Sequence, residues 1–559
     1  KESNKPSSTV MIATLIIGTF LFAWILTSIL KLKHQYYAFQ HINANDWHID
    51  KPPQPIFFIQ CINALGFGCG SKCFVSFMLY VLDRTVVQPA LTKSLKVMKQ
   101  ADEKDIIDPI LCNEEARNAM KERLETYYND IYHSPTLNAI SKLLNYAGAY
   151  QCLTHHRKFL SLCMAKGTEL SKETVHQPVF IVSFPRTGTT ILHRTMSLDR
   201  TRFRNFDLSD MVSPLPKPIP RWDMEGRREK AKEGQALLDS VNVIFPGFAE
   251  CLETMHGFRA DEAEEDLGWY DTGLGHMYMD PLMKLHVQNR STPEGMSKLE
   301  SKEVAKYRYA WLAMVMKLYQ YTDKIEWETR KETAASVGEG GVTTNAVDEE
   351  TPLSSPSQVY YEGPCPTEHI PWLMKDPNHS AYLPELLERF PDSKFIFTHR
   401  APGEIVPSMA KLFVIFTSVD FIPYAPGTSS KEWGVETNRR MKHYCDGLVN
   451  FTKSQSKGSP LSLQSVCKEL KQSTSARRID MYFKNLVEDV PGAISNIYKQ
   501  FYPDQPGPSE DAMGAFKMYL EKNAREKYGN QRRSLEDFHL TKKDVAYHAY
   551  NDLFLSAYK

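Results

Sequence analysis

Val179-Phe180-Ile181-Val182 is the segment that most constrains the fold. Four β-branched and aromatic residues with no polar alternation read as a strand buried on both faces, and such strands belong to parallel sheets covered by helices. Pro185-Arg186-Thr187-Gly188-Thr189-Thr190 follows at once, and Ile191, Leu192 and Met196 then give a helical apolar spacing. Strand, short glycine-containing turn and helix together point backbone N–H groups and the positive end of a helix dipole at an anion. Arg186 adds a fixed positive charge, and Thr189 and Thr190 add hydroxyl donors. The turn is not a Walker A loop, because G-x-x-x-x-G-K-[ST] is absent here. The bland alternative is an ordinary strand-to-helix turn that uses a glycine.

A second unit follows farther along the chain. After Trp372-Leu373-Met374-Lys375-Asp376-Pro377, the residues Leu383, Leu386, Leu387 and Phe390 recur at i, i+3, i+4 and i+7, with Pro384 early in the helix they predict. Lys394-Phe395-Ile396-Phe397-Thr398-His399 is another strand. Arg400 stands at its C-terminal end, Pro402 and Gly403 turn the chain, and Ile405 to Leu412 reads as helix. Ser408 lies eight residues after Arg400. Ligands of doubly wound sheets bind at strand C-termini, so Arg186 and Arg400 are expected to face one crevice.

These residues carry a resemblance. The chain is similar to sulfotransferases that use 3′-phosphoadenosine-5′-phosphosulfate (PAPS). The 185–190 loop resembles the family's 5′-phosphosulfate loop, and Arg400 with Ser408 resembles its 3′-phosphate motif. Lys375-Asp376-Pro377 followed by helix, strand and His399-Arg400 is similar to the membrane-anchored tyrosylprotein branch and to the bacterial-type group. Ile479 to Phe483, with the helix carrying Ile494, Ile497, Tyr498 and Phe501, resembles the family's last core strand and helix, and Ser534 to Phe538 resembles a C-terminal segment of the bacterial-type group. The Gly-rich cofactor loop that cytosolic members carry near their C-terminus is not evident, and Arg186 stands where those members have Lys.

The resemblance implies a P-loop-like three-layer α/β/α fold around a central parallel sheet, and transfer of a sulfuryl group from PAPS to a hydroxyl without a metal. It implies that Arg186, Thr187, Gly188, Thr189 and Thr190 hold the leaving phosphate, that Lys375 meets the bridging or sulfonate oxygens, and that Arg400 and Ser408 hold the 3′-phosphate, where arginine bonds bidentately. The acceptor hydroxyl must also lose a proton. Asp207, 21 residues after Arg186, is the first candidate for that base because anchored relatives carry a carboxylate near this offset. The Glu264-Glu265-Asp266 cluster is second, with Glu265 its representative, and His379 is third. The competing readings are a solvated helix face for the acidic run Asp261–Asp266 and a cap or turn role for Asp207 and His379.

The N-terminal part points to a membrane. Val10 to Leu30 holds no charged residue, and Met11 to Leu30 as a helix spans about 30 Å, the thickness of a bilayer core. It reads as an uncleaved anchor within residues 1–34, and a Golgi-lumenal placement is taken from the anchored relatives. Residues 35–139 read as a membrane-proximal, mostly helical region whose apolar stretch 55–82 contains Lys72 and Gln60, which favours an interfacial or partly buried helix over a full span. Residues 140–559 would be the sulfotransferase domain, interrupted about 333–358 by a Gly-, Ser-, Thr-, Glu- and Pro-rich insertion expected to be disordered. With 67 Lys and Arg against 67 Asp and Glu, bulk electrostatics do not favour nucleic acid as a partner. No C-x-x-C pair or other metal-ligand spacing stands out. The acceptor is left open among carbohydrate, lipid or sterol, and tyrosine. The readings to be set against an active enzyme are a nucleotide-dependent kinase, which lacks its Walker Lys here, and a membrane-tethered scaffold that kept the fold without turnover.

Overall fold

The computed structural model describes residues 71–556 except 106, 135–136, 138, 213–217, 245–252, 254–256, 273–300, 339–363, 418–428, 456–476 and 524–532. The described chain opens with four helices: α1 Ser71–Leu82, α2 Gln88–Lys104, α3 Glu114–His133 and α4 Ala139–Lys172. Local signals explain their limits. Pro89 lies in the first turn of α2, where a missing N–H costs nothing. The Asn113 side chain caps α3 by accepting from Ala116 N at 2.8 Å. Gly167 takes a φ of 55° and breaks the helical path inside α4.

Strand β1 Val179–Val182 follows, then α5 Thr189–Met196, α6 Leu208–Val212, α7 Met224–Ile244, α8 Leu267–Thr272 and α9 Lys302–Gly338. Next come β2 Leu373–Lys375, α10 Leu383–Arg389, β3 Lys394–His399, α11 Pro402–Thr417 and α12 Ser430–Gln455. Then come β4 Arg478–Tyr482, α13 Phe483–Glu488, α14 Val490–Phe501 and α15 Glu510–Lys522, followed by short helical segments at Glu536–Phe538, His548–Tyr550 and Asn551–Leu555.

The described sheet runs β2-β1-β3-β4 with every pairing parallel. Register sets which side chains share a face. Phe180 pairs with Met374 and Phe395, and these three belong to one apolar layer that continues into α9, α10 and α12. Val179, Ile181, Leu373, Ile396 and Ile479 fill the opposite layer, with Leu192 of α5, Leu486 of α13 and Ile494 and Ile497 of α14. A sheet buried on both faces explains why β1 and β3 show no polar alternation. Ile181 is also in register with Lys375, which puts Lys375 on the α5 face and, by the period of two, Asp376 on the Phe180 face.

One expectation changes here, and two others meet only part of the described chain. The Val10–Leu30 run lies outside the described residues, and among the described residues no helix is long and apolar enough to cross a membrane. The described end of the 55–82 stretch is helix α1, which buries Leu79 in the core, packs Leu82 against it and leaves Phe77 and Tyr80 exposed. The low-hydrophobicity insertion starts later than its composition suggested. Residues 333–338 are the last turns of α9, where the Thr333 hydroxyl donates to Thr329 O at 2.8 Å, and 339–358 lie outside the described residues. Extending an existing helix adds a hydrogen bond per residue ordered without a new nucleation cost, which outweighs weak helix propensity.

Candidate active site

The loop after β1 is held from beneath. The Thr187 hydroxyl donates to Phe184 O at 2.8 Å and lies 3.0 Å from Ser183 Oγ and 2.6 Å from Thr398 Oγ1, while Ser183 Oγ donates to Thr398 O. Thr187 is wholly buried. Its hydroxyl therefore braces the loop against β3 and is not turned to a ligand, whereas the resemblance implied that Thr187 holds the leaving phosphate. Arg186 and Gly188 both take left-handed backbone, with φ of 70° and 86°. At Gly188 a Cβ would also meet Leu486 Cδ2 at 2.9 Å, so glycine is required on two counts.

Two guanidinium groups meet above this loop. Arg186 Nε donates to Ser408 Oγ at 3.0 Å, and Arg400 Nη1 donates to Arg186 O at 2.8 Å. Thus Arg186, Arg400 and Ser408 share the crevice at the ends of β1 and β3. Arg400 lies over the Phe483 ring, 4.2 Å from its centroid, and Arg400 Nε donates to Glu404. Burial and the Arg400 charge lower the Arg186 guanidinium to about 10, with Glu265 opposing them. Like charges held together in a partly desolvated crevice favour binding of an anion.

Lys375 reaches the same loop from β2. Its Nζ donates to Thr190 Oγ1 at 3.0 Å and to Glu265 Oε1 at 2.5 Å. Lys375 is almost completely buried, whereas the Glu265 side chain keeps 23% of its surface exposed. The acidic run that carries Glu265 is not a solvated helix face. Ala263 bridges Asp207 in an antiparallel pair, and α8 starts only at Leu267. Glu262 and Glu264 both pair with Arg194, at 2.6 and 2.7 Å, and Asp266 is fully buried facing His379 at 3.2 Å. Closely spaced acids can be buried here because each faces a cationic or proton-bearing partner, Arg194 serving two of them.

Asp207 and His379 are placed differently. Asp207 is buried in an ion pair with Arg227 and accepts from Asn205 Nδ2 at 2.7 Å. Asp210 pairs with the same Arg227 and with Lys230 at 3.0 Å, completing a closed charge cluster. The Asp207 carboxylate makes no hydrogen bond or ion pair with Arg186, Lys375 or Arg400 in this arrangement. His379 is fully buried beneath β2 on the Phe180 ring, with its Nδ1 3.3 Å from Tyr309 Oη. Asp266, Asp376 and His379 each place one ligand-type atom within 4.8 Å of the others. Within this group Asp266 faces His379 and accepts from Tyr270 Oη at 2.8 Å, while Asp376 Oδ2 is buried without a hydrogen-bond partner.

Sequence reasoning missed one contributor, Phe483, and one pairing, that of Thr190 with Lys375. Phe483 stacks on Arg400 and crowds Gly188, and Thr190 binds Lys375; the residues were visible, but only tertiary packing pairs them.

A model of the sulfotransferase family matches residues 178–502. The chain belongs to the sulfotransferase family. That match begins just before β1 and ends just after α14, so it spans the loop, Lys375, Arg400 and Ser408. The fold is similar to that of sulfotransferase STF9 from Mycobacterium avium, with a TM-score of 0.55 at 16% identity, covering 83% of this chain and 95% of that one. It is also similar to sulfotransferase STF1 from Mycobacterium tuberculosis, with a TM-score of 0.50 at 17% identity, covering 82% of this chain and 98% of that one. No match was found among curated proteins.

Proposed function

We propose that this sulfotransferase moves the sulfuryl group of PAPS to a hydroxyl acceptor, and that Glu265 is its general base. The observation that carries the proposal is Lys375 Nζ, joined at once to Glu265 and to Thr190 on the phosphate-facing end of α5. One cation thereby adjoins both the anion loop and a partly exposed carboxylate.

PAPS supplies an activated sulfuryl group on a good leaving phosphate. The neighbouring Arg186 and Arg400 fit a nucleotide that is anionic at both its 5′ and its 3′ ends. Backbone N–H groups of 187–190 and Arg186 hold the 5′-phosphate end, while Arg400 and Ser408 hold the 3′-phosphate. Phe483 keeps the Arg400 fork flat. Lys375 exchanges Glu265 for the sulfonate oxygens and neutralises charge there, the type of stabilisation that carries most of a group-transfer barrier. Glu265, released and partly open to solvent, accepts the acceptor's hydroxyl proton. Asp207 retains its pair with Arg227 and orders the segment beside Ala263.

Membrane attachment through Val10–Leu30, with the catalytic part in the Golgi lumen, completes the proposal. A carbohydrate, lipid or sterol, or tyrosine hydroxyl is the acceptor. Transfer of labelled sulfate from PAPS across these three acceptor classes tests the activity; adenosine-3′,5′-bisphosphate raising the melting temperature while ATP does not tests the donor. No transfer and no shift would overturn the proposal. For the anchor, the truncation belongs at residue 70, since Leu79 of α1 is core. The protein lacking 1–70 is expected to leave the membrane fraction.

A further inference from the structure

We propose that Asp266, His379 and Tyr270 form a buried positioning unit whose task is to hold Lys375 and Glu265 in their paired geometry. The inference rests on the proposed role of that pair.

The argument starts from sequence adjacency. Glu265 and Asp266 are neighbours, as are Lys375 and Asp376. Neighbours in extended chain point to opposite sides. Lys375 therefore lies on the α5 face with Glu265, while Asp376 faces the Phe180 layer, where Asp266 meets His379. The two segments are clamped at this level by a reciprocal pair of bonds. Asp266 N donates to Lys375 O, and Lys375 N donates to Asp266 Oδ1, each at 3.2 Å. One carboxylate oxygen of Asp266 thus fixes the β2 backbone at Lys375.

The other oxygen fixes Asp266 itself. It accepts from Tyr270 Oη at 2.8 Å and faces His379 Nε2 at 3.2 Å. His379 cannot swing away: Phe180 lies edge-on to its ring with centroids 5.2 Å apart, and Tyr309 Oη lies 3.3 Å from Nδ1. Asp376 caps its own turn by accepting from Asn378 N at 2.9 Å, and its Oδ2 is buried without a hydrogen-bond partner. Burial opposes charge on His379, but Asp266, Asp376 and Glu265 overcome it and hold the imidazole above its ordinary value. Burial raises Asp376 to about 7, with the nearby carboxylates adding to it and His379 opposing. A charged Asp266–His379 pair leaves little uncompensated charge under the sheet. None of these groups touches the crevice, so they act through Lys375 and Glu265.

The test needs no acceptor. In the full chain, the rate of reductive methylation of the Lys375 amine is followed by peptide mass spectrometry. Lys394, buried on β3, serves as the internal reference. Asp266→Asn keeps an acceptor for Lys375 N but removes the charge facing His379. It is expected to speed Lys375 labelling while Lys394 labelling stays unchanged. Tyr270→Phe removes one hydrogen bond, leaves packing intact and should give a smaller rise; it carries the test if Asp266→Asn does not fold. In a Glu265→Gln background, where Lys375 is already released, neither change should add much. Equal acceleration at Lys375 and Lys394, or full additivity with Glu265→Gln, would overturn the positioning role. Failure of the underlying site reading has its own signature: adenosine-3′,5′-bisphosphate would not protect Lys375 from labelling in the unaltered protein.

Discussion

Asp207 and Glu265 lie on segments joined by the Asp207–Ala263 bridge, and both carboxylates face a cation. Around Asp207 the account closes. Arg227 is shared with Asp210, Lys230 binds Asp210 from the other side, and none of these side chains exceeds 10% exposure. Around Glu265 it stays open on one side. Lys375 is sealed, but Glu265 keeps 23% of its side-chain surface, and the lysine has a second partner in the anion loop. A sealed charge cluster maintains shape, whereas a carboxylate that can exchange its partner and meet solvent can move a proton.

The contrast breaks most sharply on turnover. Glu265→Gln is expected to lower kcat by about 10²–10⁴, the usual contribution of a general base, with adenosine-3′,5′-bisphosphate affinity nearly unchanged. Asp207→Asn should leave the chemical step within a few-fold. The reverse result, full turnover in Glu265→Gln and loss in Asp207→Asn, returns the base to the residue that spacing from Arg186 favoured.

Stability should show the opposite ranking. Asp207→Asn leaves Arg227 without one buried partner, and breaking a buried pair costs about 3–5 kcal/mol, which denaturant unfolding would read. Glu265→Gln removes a partly exposed partner and should cost less. Equal losses would mean that the two sites are equally structural.

Arg400→Ala sharpens the comparison at the far side of the crevice. It should weaken adenosine-3′,5′-bisphosphate by about 1.5–3 kcal/mol, the scale of a charge-assisted hydrogen bond, measured by titration calorimetry. A ligand lacking the 3′-phosphate should bind the variant and the unaltered protein alike.

Acid should weaken the sealed cluster. Burial works against the Asp210 carboxylate, but Arg227 and Lys230 hold it below its usual range. For Asp480, burial is likewise overcome, and His399 and Arg478 bring it to about 2. Depressed folded values make the unfolded chain the better proton binder, so this stabilisation is present above the unfolded aspartate value of about 3.9 and is lost as pH falls below it. Melting temperature should therefore drop steadily from pH 4 to pH 2, less steeply in Asp207→Asn if that change has already loosened the cluster. The smallest effect is expected from deleting 339–358, since closing a shorter connection changes loop entropy by less than about 1 kcal/mol. A large fall in melting temperature would mean that the segment packs on the core.

Local pattern was enough for β1, β3 and α10, because their apolar runs and proline and glycine stops are short-range signals, whereas β4 came from the family resemblance. It was also enough to nominate Arg186 and Arg400, just beyond β1 and β3, whereas Lys375 and Ser408 were nominated by the family resemblance. It was not enough for β2, whose three residues carry too little periodicity to separate strand from loop. Nor did composition place the end of α9, since helix propagation depends on what precedes a segment as well as on its own residues.

What one sequence determined by itself was the parallel α/β core and the order of its anion-binding ends, since burial on two faces leaves the same mark in every such strand. Which acid meets which cation was decided only in three dimensions. Glu262, Glu264, Glu265 and Asp266 are chemically near-identical in the chain, yet they find Arg194, Arg194 again, Lys375 and His379. Pairing and exposure are properties of distance and burial between segments far apart in sequence, and those two quantities separate a buried structural carboxylate from one that can accept a proton.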